Sequence, residues 1–156
     1  MSGIDALTKD SRALDYWVKR FVAFVIDAII VFVVFYLLVA ILAVAVTIPL
    51  LFTGGLAPFG LIFGTLAILG GVVFILYFTI LEASSGATFG KRAFSLKVVS
   101  KTGSNPTLAE AFIRNLSKIY WLILLLDVIV GLAVAKNYQQ KYSDQLAGTR
   151  VVLTKS

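Results

Sequence analysis

The stretch Phe21–Val46, FVAFVIDAIIVFVVFYLLVAILAVAV, decides what kind of protein this is. Its one charge is Asp27. At about 1.5 Å of rise per residue, a helix of this length crosses a hydrocarbon core of about 30 Å with room for tilt. The composition around it agrees. Of 156 residues, 60% are hydrophobic and 14% charged, and the mean hydropathy is +0.97. A soluble domain this small leaves too much surface in water to hide so much apolar material. The bilayer is therefore the expected solvent, and the low hydrophobicity of a disordered chain is absent. A signal peptide is the competing reading, because Lys19-Arg20 precedes the run and Ala43-Val44-Ala45 lies near its end. The run far exceeds an h-region of about 7–15 residues, and Asp5, Asp10 and Asp15 precede it. It reads as a retained span over about 21–46.

Working outward, the second apolar run is Phe59–Ala83, uncharged until Glu82. Gly60, Gly64, Ala67 and Gly71 follow at steps of four, three and four, which places them on one helical face. Small residues let another helix approach closely in lipid. Packing against the first helix is the simpler expectation, and a homodimer face is the other. The third run, Ile119–Ala135, contains Asp127 and Gly131 and is at the short limit for a span. It crosses once, or it dips in and returns as a re-entrant or broken segment.

Charge placement bears on that choice. Four Lys/Arg precede Phe21, none lie in Thr47–Pro58, and six lie in Ser84–Lys118. The positive-inside rule then puts the N-terminus and the second connection in the cytoplasm. A single crossing by the third run would leave the basic tail, with Lys136, Lys141, Arg150 and Lys155, on the wrong side. Leu96-Lys97-Val98-Val99 and Thr149-Arg150-Val151-Val152-Leu153 also have strand character, and they can pair only on one side of the membrane. Both observations favour a cytoplasmic C-terminus. Tyr16, Trp17, Tyr120 and Trp121 sit at run edges, where an interfacial belt is expected.

The chain has no Cys and no His. That excludes disulfides, thiolate or imidazole metal sites and Ser-His-Asp triads. No nucleophile–base pair is visible, so no enzyme, metal or other cofactor is expected. Gly86-Ala87-Thr88-Phe89-Gly90-Lys91-Arg92 fails as a phosphate loop, having three residues between its glycines and Arg after the Lys. Gly90-Lys91-Arg92 reads instead as a tight turn whose cations meet lipid head groups or a carboxylate. The basic residues flank spans rather than forming a stripe, so nucleic acid is not an expected partner.

An ionisable group within a span is costly and marks a candidate site. Asp27 lies seven residues past Arg20, two turns on along the same face and about 10 Å deeper. Asp127 lies eight residues into the third run, and Arg114 stands four before Lys118 on its amphipathic lead-in. Two readings compete. Asp27 and Asp127 line a polar cavity and bind a cation or proton, with Arg20 or Arg114 tuning them. Alternatively, each acid is the counter-ion of a buried base and fixes helix register.

In order, these pieces resemble the RDD family of small membrane proteins, named for one Arg and two Asp. Arg20 opening the first helix and Asp27 within it match the family pattern, as do Gly90-Lys91-Arg92 followed by Lys97-Val98-Val99, and Arg114-Asn115-Leu116. The closing signature reads Asp144-Gln145-Leu146-Ala147-Gly148-Thr149-Arg150-Val151-Val152. Arg150 stands where a β-branched residue is usual and Ser143 where Gly or His is frequent, and no role is expected for Ser143. The resemblance implies a polar core of Arg20, Asp27 and Asp144, with a close turn at Ala147-Gly148 before Thr149. It implies a link to transport, with cation/proton exchange suggested for some members.

The architecture expected is an all-α integral membrane protein of prokaryotic cell-membrane type. It has an N-terminal tail over 1–15 and a membrane domain over 16–153. Two full spans and a third, broken or re-entrant segment over about 119–135 carry a small cytoplasmic cap with short β-strands. The expected function is transport of a small cation, proton or other small solute through Asp27. The alternative is a structural, assembly or accessory subunit held by an architectural salt-bridge network. The lipid bilayer is the expected partner, joined by a second copy or another membrane protein.

Overall fold

A computed structural model describes residues 10–53, 59–134 and 139–154. Most of the tail over 1–15, the Gly/Pro turn at 54–58, the end of the third run at 135 and the last two residues lie outside it.

Helix α1 is Ser11–Thr53, longer than the predicted span at both ends. Asp10 starts it by accepting the Arg12 N–H on its side chain at 2.9 Å, an N-cap contact. At 43 residues it extends roughly 65 Å, well beyond one hydrocarbon core. One face is buried: Ala13, Tyr16, Ala23, Asp27 and Val31. Their steps of three, seven, four and four keep them on a helical stripe. Elsewhere α1 exposes Phe21, Ile29, Phe32, Leu37 and Ile41. So wide an apolar surface is compatible with lipid and not with water.

Helix α2 is Phe59–Ser85. It meets α1 through aromatic side chains. Phe24 stacks on Phe78 with centroids 6.0 Å apart, and Phe74 packs against both Phe24 and Phe32. The small residue at this seam is Gly70, where a Cβ would stand 3.2 Å from the Phe35 ring. Of the predicted stripe, Ala67 is exposed and Gly71 has nothing within 4 Å. The surroundings of Gly60 and Gly64 lie outside the described side chains. A ring from α1 needs its gap one position before Gly71, so at the described end of the stripe the seam passes beside it.

The rest of the chain forms a cap. It comprises α3 (Phe89–Ala93), β1 (Leu96–Ser100), α4 (Leu108–Asn115), a 3-10 turn (Leu116–Ile119), α5 (Trp121–Val134), α6 (Tyr142–Leu146) and β2 (Thr149–Leu153). The two strands pair antiparallel, from Leu96 opposite Leu153 to Ser100 opposite Thr149. Leu96, Val98 and Val151 pack on Tyr16 and Ala23 of α1. Tyr16 is buried there rather than in an interfacial belt, because its hydroxyl donates to the Val151 carbonyl at 2.9 Å. Gly90-Lys91-Arg92 is a helical turn within α3 rather than a tight turn.

Two described helices are long and apolar enough to cross a membrane, and the third segment is bent. The α4 end and α5 meet at 117°. The 14 residues of α5 extend about 21 Å, short of a full crossing. By Tyr142 the chain is back beside Gly131, where a Cβ would stand 2.4 Å from the Tyr142 nitrogen. The β1–β2 pairing then brings the C-terminal strand to the same end of the molecule as the start of α1.

Gly131→Ala forces side-chain volume into the backbone at Lys141 and Tyr142, and overpacking of this kind costs about 1–3 kcal/mol. Gly71→Ala meets open space and shifts stability by less than about 0.5 kcal/mol. Thermal unfolding of the two variants in detergent should separate them.

Candidate functional site

Four carboxylates are buried where the cap meets the two long helices: Asp27, Glu82, Asp127 and Asp144. They are not equivalent.

Asp27, 0% exposed, takes its partners from neutral donors. The Tyr77 hydroxyl donates to it at 2.8 Å, the Thr88 hydroxyl at 2.5 Å and the Gly90 N–H at 2.8 Å. The carboxylate thus satisfies the start of α3, where backbone N–H groups lack partners. This is why the chain after Thr88 turns helical. The contact requires glycine at position 90, since a Cβ there would lie 2.1 Å from the Ala23 carbonyl oxygen. No described cation pairs with Asp27. Arg20 pairs with Asp144, a meeting the resemblance allowed at this face, and not with Asp27.

Asp144 lies between two arginines, Arg20 Nη2 at 2.9 Å and Arg114 Nη2 at 3.0 Å. Burial alone would push its carboxyl up, but Arg114 and Arg20 outweigh that and hold it at about 2. Arg114, 1% exposed, also reaches Glu82 through Nε at 3.3 Å. Glu82 is fully buried and gathers further partners. They are the Lys91 ammonium, Asn115 Nδ2 at 3.0 Å and Lys118 Nζ at 3.8 Å.

Asp127 pairs with Lys141 Nζ at 2.5 Å and accepts the Ser143 N–H and hydroxyl at 2.6 and 2.7 Å. Lys141 also donates to the Arg114 carbonyl and to the hydroxyls of Ser117 and Ser143. Burial pulls its ammonium below the usual lysine range, and Asp144 and Asp127 offset part of that. Ser143, for which no role was expected, therefore ties α6 to α5. Ala147 is buried, Gly148 makes a left-handed turn at φ +66°, and the Thr149 hydroxyl donates to the Asp144 carbonyl at 3.4 Å. Arg92 stands outside the cluster, exposed over the Phe89 ring.

The structure thus joins Arg20, Asp144, Arg114 and Lys91 in one network through Glu82, and leaves Asp27 and the Asp127–Lys141 pair beside it. Sequence reasoning missed Glu82 as the hub and Lys141 as a buried base. A signal existed for Glu82, because Arg114 and Lys118 form a two-cation face that needs an acid opposite. For Lys141, Ser143, Tyr77 and Thr88 no spacing in the chain points to the contact.

The four buried carboxylates face five basic side chains, Arg20, Lys91, Arg114, Lys118 and Lys141, one more base than acid. All five cations also line a cavity of about 420 Å³ that opens between α1 and α5.

The family model described as the RDD family matches residues 15–148, most of the chain. No curated protein and no solved structure matches it.

Asp144→Asn leaves two buried arginines short of a counter-charge, and breaking a buried pair costs about 3–5 kcal/mol. The Asp144 carboxyl is held below its unfolded value near 3.9, so its contribution is complete above about pH 4. It is lost as pH falls toward 2. Denaturation followed from pH 7 to pH 2 should therefore show wild-type stability declining below pH 4, with that part of the decline missing in Asp144→Asn.

Proposed function

Because this chain belongs to the RDD family, we propose that it is a non-catalytic integral membrane protein whose Arg and Asp residues form an architectural lock, serving as a structural or accessory subunit. The observation that carries this reading is the state of Asp27. Its two oxygens accept three protein donors, so a cation would have to displace hydrogen-bond donors that point at it. A cation site for hard ions is built from several oxygens facing inward, the opposite arrangement. Asp127 and Asp144 are likewise committed to Lys141, Arg20 and Arg114.

The lock connects parts of the chain that lie far apart. Arg20 on α1, Glu82 on α2, Arg114 on α4 and Asp144 on α6 meet within one network. Such a network fixes how the cap sits on the two long helices, which suits a protein that presents a defined surface to a membrane partner. A transport-related role keeps support from one observation, the cavity beside the network. Its surface is mostly apolar, and the five bases among its lining residues favour an anionic group over a cation or proton.

Proteoliposomes containing wild-type protein should show no proton-coupled sodium or potassium flux above protein-free vesicles. Asp27→Asn should lower stability by about 1–3 kcal/mol, because one rigid or hydroxyl donor loses its charged acceptor. Wild-type flux that disappears in Asp27→Asn, with the unfolding midpoint unchanged, would overturn the architectural reading in favour of cation transport.

A further inference from the structure

We propose that the cavity between α1 and α5 is a binding site for one anionic phospholipid, with the head-group phosphate on its cations and the acyl chains leaving along its apolar walls. The lining points to an anion. Arg20, Lys91, Arg114, Lys118 and Lys141 line the cavity, and no carboxylate does. Among these lining residues, Arg114 has an Nη1 that is buried with no hydrogen-bond partner among the described residues, and a small turn of its guanidinium toward the cavity would give it one. A buried guanidinium N–H left unpaired costs free energy, and a phosphate oxygen is the acceptor it suits best. Lys118 also lacks a carboxylate within hydrogen-bond distance. Its nearest carboxylate oxygen is 3.8 Å away, and its ammonium rests 3.3 Å from the centre of the Phe78 ring.

The walls identify what else the ligand carries. Phe21 and Phe24 come from α1, and Leu124, Leu125 and Val128 from α5. Phe21 is 67% exposed and Leu125 47% exposed, so the walls run out onto the surface that faces lipid. A small inorganic anion would leave those walls unfilled. An acidic peptide would place backbone N–H and C=O groups against them without partners. A zwitterionic phospholipid would bring its own ammonium beside five cations. A volume of about 420 Å³ falls within the range of small-molecule sites and is smaller than a whole phospholipid. The phosphate and glycerol therefore occupy it, and the chains extend into the bilayer.

The test uses the full-length protein in a neutral detergent, with native mass spectrometry to count retained lipids. Dioleoyl phosphatidylglycerol should bind at one copy per chain and raise the unfolding midpoint. Dioleoyl phosphatidylcholine and inorganic phosphate should do neither. Lys118→Gln should weaken phosphatidylglycerol binding about fivefold, the effect of one basic residue on an anionic lipid. Leu124→Trp fills the cavity without altering any charge, should abolish retention, and decides the matter if Lys118→Gln fails to fold. Equal retention of phosphatidylcholine would overturn the proposal, as would binding unaffected by Leu124→Trp. Phosphate that binds as well as the lipid would mark a free-anion site and overturn it too. These readouts are independent of cation flux, so the architectural reading and the lipid site stand or fall separately.

Discussion

Arg114 is the constraint on which the rest of the cap depends. Its guanidinium lies between Glu82 at the end of α2 and Asp144 at the start of α6, and it is almost wholly removed from solvent. A charge in that position is tolerable only with counter-charges in contact, and each of those must be paired in turn. Asp144 therefore needs Arg20, and Glu82 needs Lys91 and Asn115. The long helices, the amphipathic α4 and the closing signature are drawn to one point by this mutual requirement. The hydrophobic effect does not do this between lipid-facing helices, because lipid tails are as apolar as the side chains.

Asp27 solves a different problem. Between α2 and β1 the chain needs a short helix pressed against α1, and a five-residue helix has little stability of its own. A carboxylate on α1 that accepts the Gly90 N–H and the Thr88 hydroxyl supplies what the helix lacks. The Tyr77 hydroxyl completes its shell from α2. Arg20 and Asp27, though two turns apart on one face of α1, therefore hold different parts of the cap. Arg20 fixes α6 and Asp27 fixes α3.

Much of this was legible in the chain. The two apolar runs, the strand character of 96–100 and 149–153, and the broken third segment follow from length, β-branched composition and charge placement. The importance of Arg20, Asp27 and Asp144 followed from the family pattern. Beyond the reach of Asp144 to Arg20, their partners did not. Glu82 and Arg114 lie on different elements, as do Lys141 and Asp127, and neither spacing carries a helical or strand period to suggest a meeting. Ser143 gave no signal either, because its contacts with Asp127 depend on how α6 docks on α5. The small-residue stripe on α2 was a true helical periodicity, yet periodicity states only which residues share a face. The ring of Phe35 decided which glycine lies at the seam.

By itself, then, the sequence determined the solvent, the number of long apolar helices and the membership in the RDD family. Those depend on local quantities, namely the run of apolar side chains set against the thickness of a hydrocarbon core and the order of short motifs. Only the tertiary structure decided which acid met which base. Ion pairs among buried groups are set by the three-dimensional approach of helices tens of residues apart, and several cations could have served each carboxylate. The docking of α3, α4 and α6 made Asp27 a cap for a helix and Asp144 the bridge between Arg20 and Arg114. It left the surplus positive charge beside an apolar cavity.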